Sequence, residues 1–386
     1  MPKVYTLNNI SKKGLRLFDG GYEIIDSPDN ADAVLVRSAS MHEMELPKST
    51  LCVARAGAGV NNIPLEKYAS QGIVVFNTPG ANANAVKELV LAGMLMSARD
   101  IIGGVQWCRD NASDENIAKD MEKAKKQFAG RELSGKTLGV IGLGAIGVEV
   151  ANAANKLGMR VLGYDPYISL KNAWMLSRSV QHAKSYDDIY SHADFITLHV
   201  PALDSTKGML NKKAFSIMKK GAVILNYSRN SLVDEEAMKE ALENGTVSKY
   251  LTDFPTPGVM AMKNVIATPH LGASTDEAEE NCAIMAVNQV REFIENGNIV
   301  NSVNFPACDM GKKTTACRVS VMHQNIPNMI SQVTAVFAAE HNNISNMTNA
   351  SKGAFAYSMF DLESDVTEDT IRKLSDINGI LRVRVI

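Results

Sequence analysis

The sequence predicts an α/β protein of two doubly wound parallel-sheet (Rossmann-like) domains followed by a smaller ferredoxin-like βαββαβ module. Three observations carry this expectation. Short, continuous apolar runs alternate with helical stretches through most of the chain, as in parallel strands buried on both faces. A glycine-rich turn joins one of those runs to a helix. Beyond Ala316 the pattern changes to alternating, half-exposed strands.

Taken in order, strands are expected at Val34–Val36, Cys52–Ala54 and Val74–Phe76. A helix from Ala85 to Arg99 follows. Next come strands at Thr137–Ile141, Arg160–Tyr164, Phe195–Val200, Ala222–Leu225 and Val265–Ala267. A second long helix runs from Thr275 to Asn296, with an acidic start and with Ala283, Ile284, Val287, Val290, Phe293 and Ile294 at helical spacing. These helices bracket the glycine motif. The expected organisation is therefore a discontinuous outer domain, 1–95 with 273–305, around a nucleotide domain, 96–272. Residues 306–315, with Pro306, Gly311, Lys312 and Lys313, read as a linker. The module 316–386 follows.

The chain has 386 residues, enough for two or three domains at roughly 150 residues each. Its 40 basic and 42 acidic residues give a net charge of −2, without the basic footprint of a nucleic-acid binder. Polar Asn8-Asn9 interrupts the N-terminal run before a signal-peptide core forms, and no apolar stretch is long enough to span a membrane. Five scattered cysteines, never spaced C-x-x-C, suit free thiols in a cytoplasmic protein and give no metal site.

Gly142-Leu143-Gly144-Ala145-Ile146-Gly147 is a G-x-G-x-x-G turn in the required context, after a strand and opening a helix to Leu157. Gly142 serves the tight turn, Gly144 the approach of a pyrophosphate, and Gly147 the helix–strand packing. The helix N-terminus offers N–H groups to phosphate. Asp165, eighteen residues after Gly147, suits ribose hydroxyls and repels a 2′-phosphate. No Arg or Lys follows in Pro166-Tyr167-Ile168, so NAD is favoured over NADP.

Hydride transfer at a hydroxy acid needs a cation for the carboxylate and a proton acceptor for the hydroxyl. Arg229 and His270 stand just beyond two strand ends, where α/β sheets bind ligands. On spacing alone, Arg229 equally fits a surface ion pair and His270 a cap or core residue.

The stretches Ala54–Ile63, Asn77–Asn82, the glycine turn, Arg229 with Leu232-Val233-Asp234, and Thr268-Pro269-His270 resemble the D-isomer-specific 2-hydroxyacid dehydrogenases. The resemblance implies that Arg229 binds the substrate carboxylate and that His270 is the general acid/base. It implies that Asp253 holds the nicotinamide carboxamide, while Ala145, Ile146, Val200, Tyr227, Ser228 and Ala273 line the NAD. Arg37, Ser38, Arg55, Gly57, Ala58 and Gly59 would face the substrate, with both arginines on a phosphate. Within the family, these arginines and the C-terminal module imply oxidation of 3-phosphoglycerate to 3-phosphohydroxypyruvate, the entry to L-serine, by a homodimer or homotetramer. The alternatives are a glyoxylate or hydroxypyruvate reductase, or an NAD-sensing regulator without catalysis. The module itself resembles ACT domains, which implies L-serine as effector at His323, Asn325 and Asn343, with Asn328 in place of a usual glycine. The family also usually places a glutamate soon after Asp253 as partner to the histidine. Here the run is Asp253-Phe254-Pro255-Thr256-Pro257, without one.

Overall fold

In the computed structural model, which describes residues 1–386, the chain forms two compact units. The first is Met1–Asn82 with Asp276–Ile386, and the second is Ala83–Thr275. The helix Ala83–Ala98, which the sequence divides near residue 95, belongs whole to the second unit.

The first unit holds a five-stranded parallel sheet: β1 (Lys3–Thr6), β2 (Glu23–Ile25), β3 (Ala33–Val36), β4 (Cys52–Arg55) and β5 (Val74–Phe76), in the order β2-β1-β3-β4-β5. Val4, Leu35, Ala54 and Phe76 on one face pack against Ala283, Val287, Val290 and Phe293 of the helix Asp276–Asn296. Those four recur every three or four residues, which is one face of a helix.

In the second unit, a seven-stranded parallel sheet comprises β6 (Thr137–Ile141), β7 (Arg160–Tyr164), β8 (Gln181–His182), β9 (Phe195–Leu198), β10 (Ala222–Asn226), β11 (Val247–Thr252) and β12 (Val265–Ala267). The order is β12-β11-β10-β9-β6-β7-β8. Apolar clusters cover both faces, so the runs are continuous rather than alternating. The order reverses between β6 and β9, which is the switch point where such sheets open a ligand crevice.

The C-terminal module forms an antiparallel sheet of β13 (Cys317–Gln324), β14 (Ile344–Lys352), β15 (Phe355–Leu362) and β16 (Ile380–Val385), ordered β14-β15-β13-β16. Helices Met329–Ala339 and Glu368–Ser375 complete the βαββαβ pattern. Asn328 takes the left-handed conformation (φ 68°) before the first of these helices, a shape asparagine tolerates better than most residues. The sequence makes β13 half-exposed, but all of it except Gln324 is buried. One face meets the module's own helices, while Met322 joins the core that also contains Phe293, Tyr357 and Met359. Residues 306–315 are tied down at two points: Ile299 bridges Cys308, and Asn298 Nδ2 donates to Gly311 O at 2.9 Å.

A buried ion pair anchors the module within its unit. Arg318 Nε and Nη2 donate to the two Asp361 oxygens at 2.6 and 2.9 Å, and Arg318 Nη1 donates to Asn296 O and Gly311 O, both at 2.8 Å. Arg384 reaches the Phe293 and Ile294 carbonyls, so two guanidinium groups satisfy the exposed end of the Asp276–Asn296 helix. Asp361→Ala strands a buried cation, and urea unfolding is expected to show a loss of about 3–5 kcal/mol. An unchanged midpoint would contradict this account of the anchor.

Candidate functional site

The second unit carries the nucleotide turn. Gly142 has φ 91°, and a Cβ there would lie 2.6 Å from His199 O. A Cβ on Gly147 would lie 1.9 Å from Gly142 O, so helix and strand close directly on this position. Gly144 differs, because a Cβ there meets nothing in the protein. The chain's own packing therefore does not demand a glycine at this position. Close approach of a pyrophosphate does, and the helix Ala145–Lys156 starts at the next residue. Ala145 is exposed and Ile146 half-buried in its first turn. Asp165, just beyond β7, accepts from Leu143 N and Tyr167 N at 2.8 Å each, one bond per oxygen. A carboxylate has lone pairs left for ribose hydroxyls under that arrangement. These features fit an NAD molecule.

Gly144→Val fills the open space with side chain. It is expected to weaken NADH binding by at least about a hundredfold, roughly 3 kcal/mol, with the thermal midpoint unchanged. Gly147→Ala is expected instead to lower the midpoint. Fluorescence titration and thermal melts of both variants check this, and equal melting losses would contradict it.

The remaining residues gather at the carboxyl ends of neighbouring strands. Beyond β10, buried Asn226 organises the turn: its Oδ1 accepts from Ser228 N (3.2 Å) and Arg229 N (3.3 Å), and its Nδ2 donates to Arg229 O (2.9 Å). Ser228 Oγ donates to Val200 O at 2.7 Å, tying this turn to the end of β9. The Arg229 side chain is exposed, with Nη1 on Ser228 O at 2.6 Å. Tyr227 points into the core, and burial pushes its phenol pKa up.

Beyond β11, Asp253 is 1% exposed, and its carboxylate is turned to the next loop. Oδ1 accepts from Thr268 Oγ1 (2.5 Å) and Leu271 N (2.8 Å), and Oδ2 accepts from Gly272 N (2.7 Å). The carboxylate thus grips the loop that bears His270, and Oδ2, with a single bond, keeps a lone pair for a further donor. That loop follows β12 and continues into half-buried Ala273. His270 is exposed with φ 58°, and its N–H donates to Asp253 O (3.0 Å) and Thr268 O (3.1 Å). Its ring lies against Phe254, centroids 5.1 Å apart at 58°. The other histidine near the glycine turn, His199, bonds Thr197 Oγ1 at 2.9 Å, and desolvation lowers its pKa to about 3. It is therefore neutral and half-buried, whereas the His270 ring is exposed.

In the first unit, the substrate residues named from the sequence meet at the ends of β3 and β4. Arg55 Nε donates to Arg37 O at 2.9 Å, and Arg55 Nη1 holds Gly59 O. Asn77 Nδ2 donates to Ala58 O at 2.6 Å, and Thr78 N to Gly57 O at 3.1 Å, while Ser38 is exposed. Glu279, which no pattern in the sequence marks, ion-pairs with Arg37 at 2.5 Å, both side chains about 40% exposed. The structural work of Asn226, Thr268 and Phe254 is likewise visible only in the fold. A polar residue directly at a strand's carboxyl end is the signal that marks Asn226 and Thr268.

The effector residues implied by the resemblance do not converge within one chain. His323 is buried, with Nε2 on Ser358 Oγ at 3.0 Å, and Asn325 Nδ2 donates to Gly353 O at 3.1 Å. His323 pairs with Ala356, whereas Asn343 precedes Ile344, which pairs with Leu362. That difference along β15 amounts to roughly 20 Å at ~3.4 Å per residue.

The family model for the D-isomer specific 2-hydroxyacid dehydrogenase NAD binding domain matches residues 91–272. D-3-phosphoglycerate dehydrogenase of Methanocaldococcus jannaschii is 35% identical over 316 residues, 79% of this chain and 58% of that protein. The Haemophilus influenzae protein of the same name is 31% identical over 340 residues, 85% of this chain and 79% of its own length. This chain thus spans little more than half of some relatives and most of others. The crystal structure of NAD+-bound 3-phosphoglycerate dehydrogenase from Entamoeba histolytica superposes with TM-score 0.63 at 28% identity, covering 78% of this chain and 98% of that one.

Proposed function

Since the chain belongs to the D-isomer-specific 2-hydroxyacid dehydrogenase family and carries its NAD-binding domain, we propose that it oxidises 3-phospho-D-glycerate to 3-phosphohydroxypyruvate with NAD. Arg229 holds the carboxylate in a two-pronged contact. His270 takes the C2 hydroxyl proton as the C2–H hydride leaves, and returns it in the reverse direction. NAD supplies the acceptor for that hydride. Arg37 and Arg55 take the phosphate. The observation that carries the phosphorylated substrate is the adjacency of these two arginines at the ends of β3 and β4, a cationic centre beyond Arg229. A plain 2-hydroxy acid needs no second one.

In this reading, 1–95 with 273–305 bind substrate, 96–272 bind NAD, and 316–386 form an ACT-like regulatory module joined through 306–315. The protein is a cytoplasmic homodimer or homotetramer with L-serine as effector. The separation of His323 and Asn325 from Asn343 supports an effector site that needs two copies of the chain. No helix is long and apolar enough to cross a membrane.

The Arg37–Glu279 pair is the observation favouring a second reading, hydroxypyruvate reduction, because a partly neutralised guanidinium receives phosphate less well. The test compares kcat/KM for 3-phosphohydroxypyruvate and hydroxypyruvate in the intact protein and in Arg55→Met. The proposal expects the phosphorylated acid to be preferred by at least about a hundredfold, roughly 3 kcal/mol, and the preference to collapse in the variant. Equal rates on both acids would favour the reductase.

A further inference from the structure

A histidine acting as base must present one ring nitrogen to the hydroxyl, and an exposed imidazole turns freely unless something holds it. A hydrogen-bonded carboxylate commonly supplies that restraint. Within its own unit, His270 hydrogen-bonds through its backbone N–H, and its ring nitrogens have no carboxylate partner there. Both oxygens of Asp253, whose carbonyl accepts from the His270 N–H, face the loop backbone and Thr268 instead.

What the ring does meet is Phe254, at 5.1 Å between centroids and a 58° tilt. Such tilted aromatic pairs are attractive and directional. The backbone that carries the half-buried Phe254 ring is held from both sides. Its N–H donates to Thr252 Oγ1 at 3.2 Å, buried Asp253 precedes it, and Pro255, with its locked φ, follows. The backbone of His270 is equally fixed. Its left-handed φ of 58° is imposed by bonds to Asp253 O and Thr268 O, while the Asp253 carboxylate clamps Thr268, Leu271 and Gly272.

We propose that Phe254 is the positioning residue of the His270 imidazole: with the backbone locked by the Asp253–Thr268 clamp, the phenyl face fixes the ring's rotation. This deepens the dehydrogenase reading and rests on His270 being its acid/base. A flat ring at 254 is needed, and an aliphatic side chain of similar bulk does not replace it. The contact restrains without adding charge, so it acts on ring orientation alone.

The test uses Phe254→Leu and Phe254→Tyr in the full-length protein, assayed with whichever 2-oxo acid the protein reduces. Phe254→Leu is expected to lose about tenfold to a hundredfold in kcat, the scale of a misplaced catalytic group, with KM and NADH affinity within about threefold. Phe254→Tyr is expected to stay within about threefold of the intact protein, because the face is kept. A purely structural role would move Tm and NADH affinity together and would not separate leucine from tyrosine. As a second readout, the ring-proton NMR signals of His270, assigned with His270→Asn, should carry a ring-current shift that vanishes in Phe254→Leu and persists in Phe254→Tyr. Full kcat in Phe254→Leu, or signals indifferent to residue 254, would overturn the proposal. Turnover of hydroxypyruvate but not of the phosphorylated acid, with these effects intact, would overturn only the substrate reading. Absence of any turnover would overturn both.

Discussion

His270→Asn is expected to reduce kcat by about 10²–10⁴-fold, the usual contribution of a positioned general base. Asparagine is the informative replacement because His270 has φ 58°, a backbone shape asparagine accepts and alanine resists. The loop should keep its bonds to Asp253, so the loss reports the imidazole rather than a collapsed turn. NADH affinity and Tm should stay near those of the intact protein. No neighbouring histidine can substitute, since desolvation holds His199 near a pKa of 3, far below the working pH. A rate within a few-fold of the intact protein, measured by NADH absorbance, would remove His270 from the reaction.

Arg229→Met should be nearly as damaging, but in a different parameter. Two charge-assisted hydrogen bonds to a carboxylate, at about 2 kcal/mol each, correspond to roughly a thousandfold in kcat/KM. The turn itself should survive, because Asn226 holds the Ser228 and Arg229 backbone without using the guanidinium. Arg229→Lys keeps the charge and loses the planar fork, so only part of the loss should return. Every 2-oxo acid substrate should suffer alike, phosphorylated or not, whereas loss of Arg55 should fall on the phosphorylated one. Steady-state kinetics on both acids separates these patterns. A phosphate-selective loss from Arg229→Met would exchange the two assignments.

The second sheet is largely legible in the sequence because strands buried on both faces leave continuous apolar runs, as in Thr137–Ile141 and Ala222–Asn226. Strand β11 escapes because half-buried Ser248 and Lys249 interrupt its apolar run, and β8 because it is two residues long. β1 and β2 are short, and β2, at the sheet edge, has no buried residue. The glycine turn, Arg229 and His270 are readable because motif and strand end coincide in the chain. The partners that shape the site are not readable in this way. Thr268 meets Asp253 across 15 residues and Arg37 meets Glu279 across 242, contacts that only the folded chain creates. The module misleads in the opposite sense. His323, Asn325 and Asn343 are near one another in sequence, yet the helix Met329–Ala339 carries the chain back along the sheet and leaves Asn343 at its far end.

The most direct test of the central claim follows one hydrogen. The full-length protein is incubated with NAD and 3-phospho-D-glycerate deuterated at C2, and the nicotinamide is examined by NMR. Deuterium at C4 of the reduced nicotinamide, matched by 3-phosphohydroxypyruvate and abolished in His270→Asn, is the predicted result. Tight NAD binding with no deuterium transferred would contradict the account.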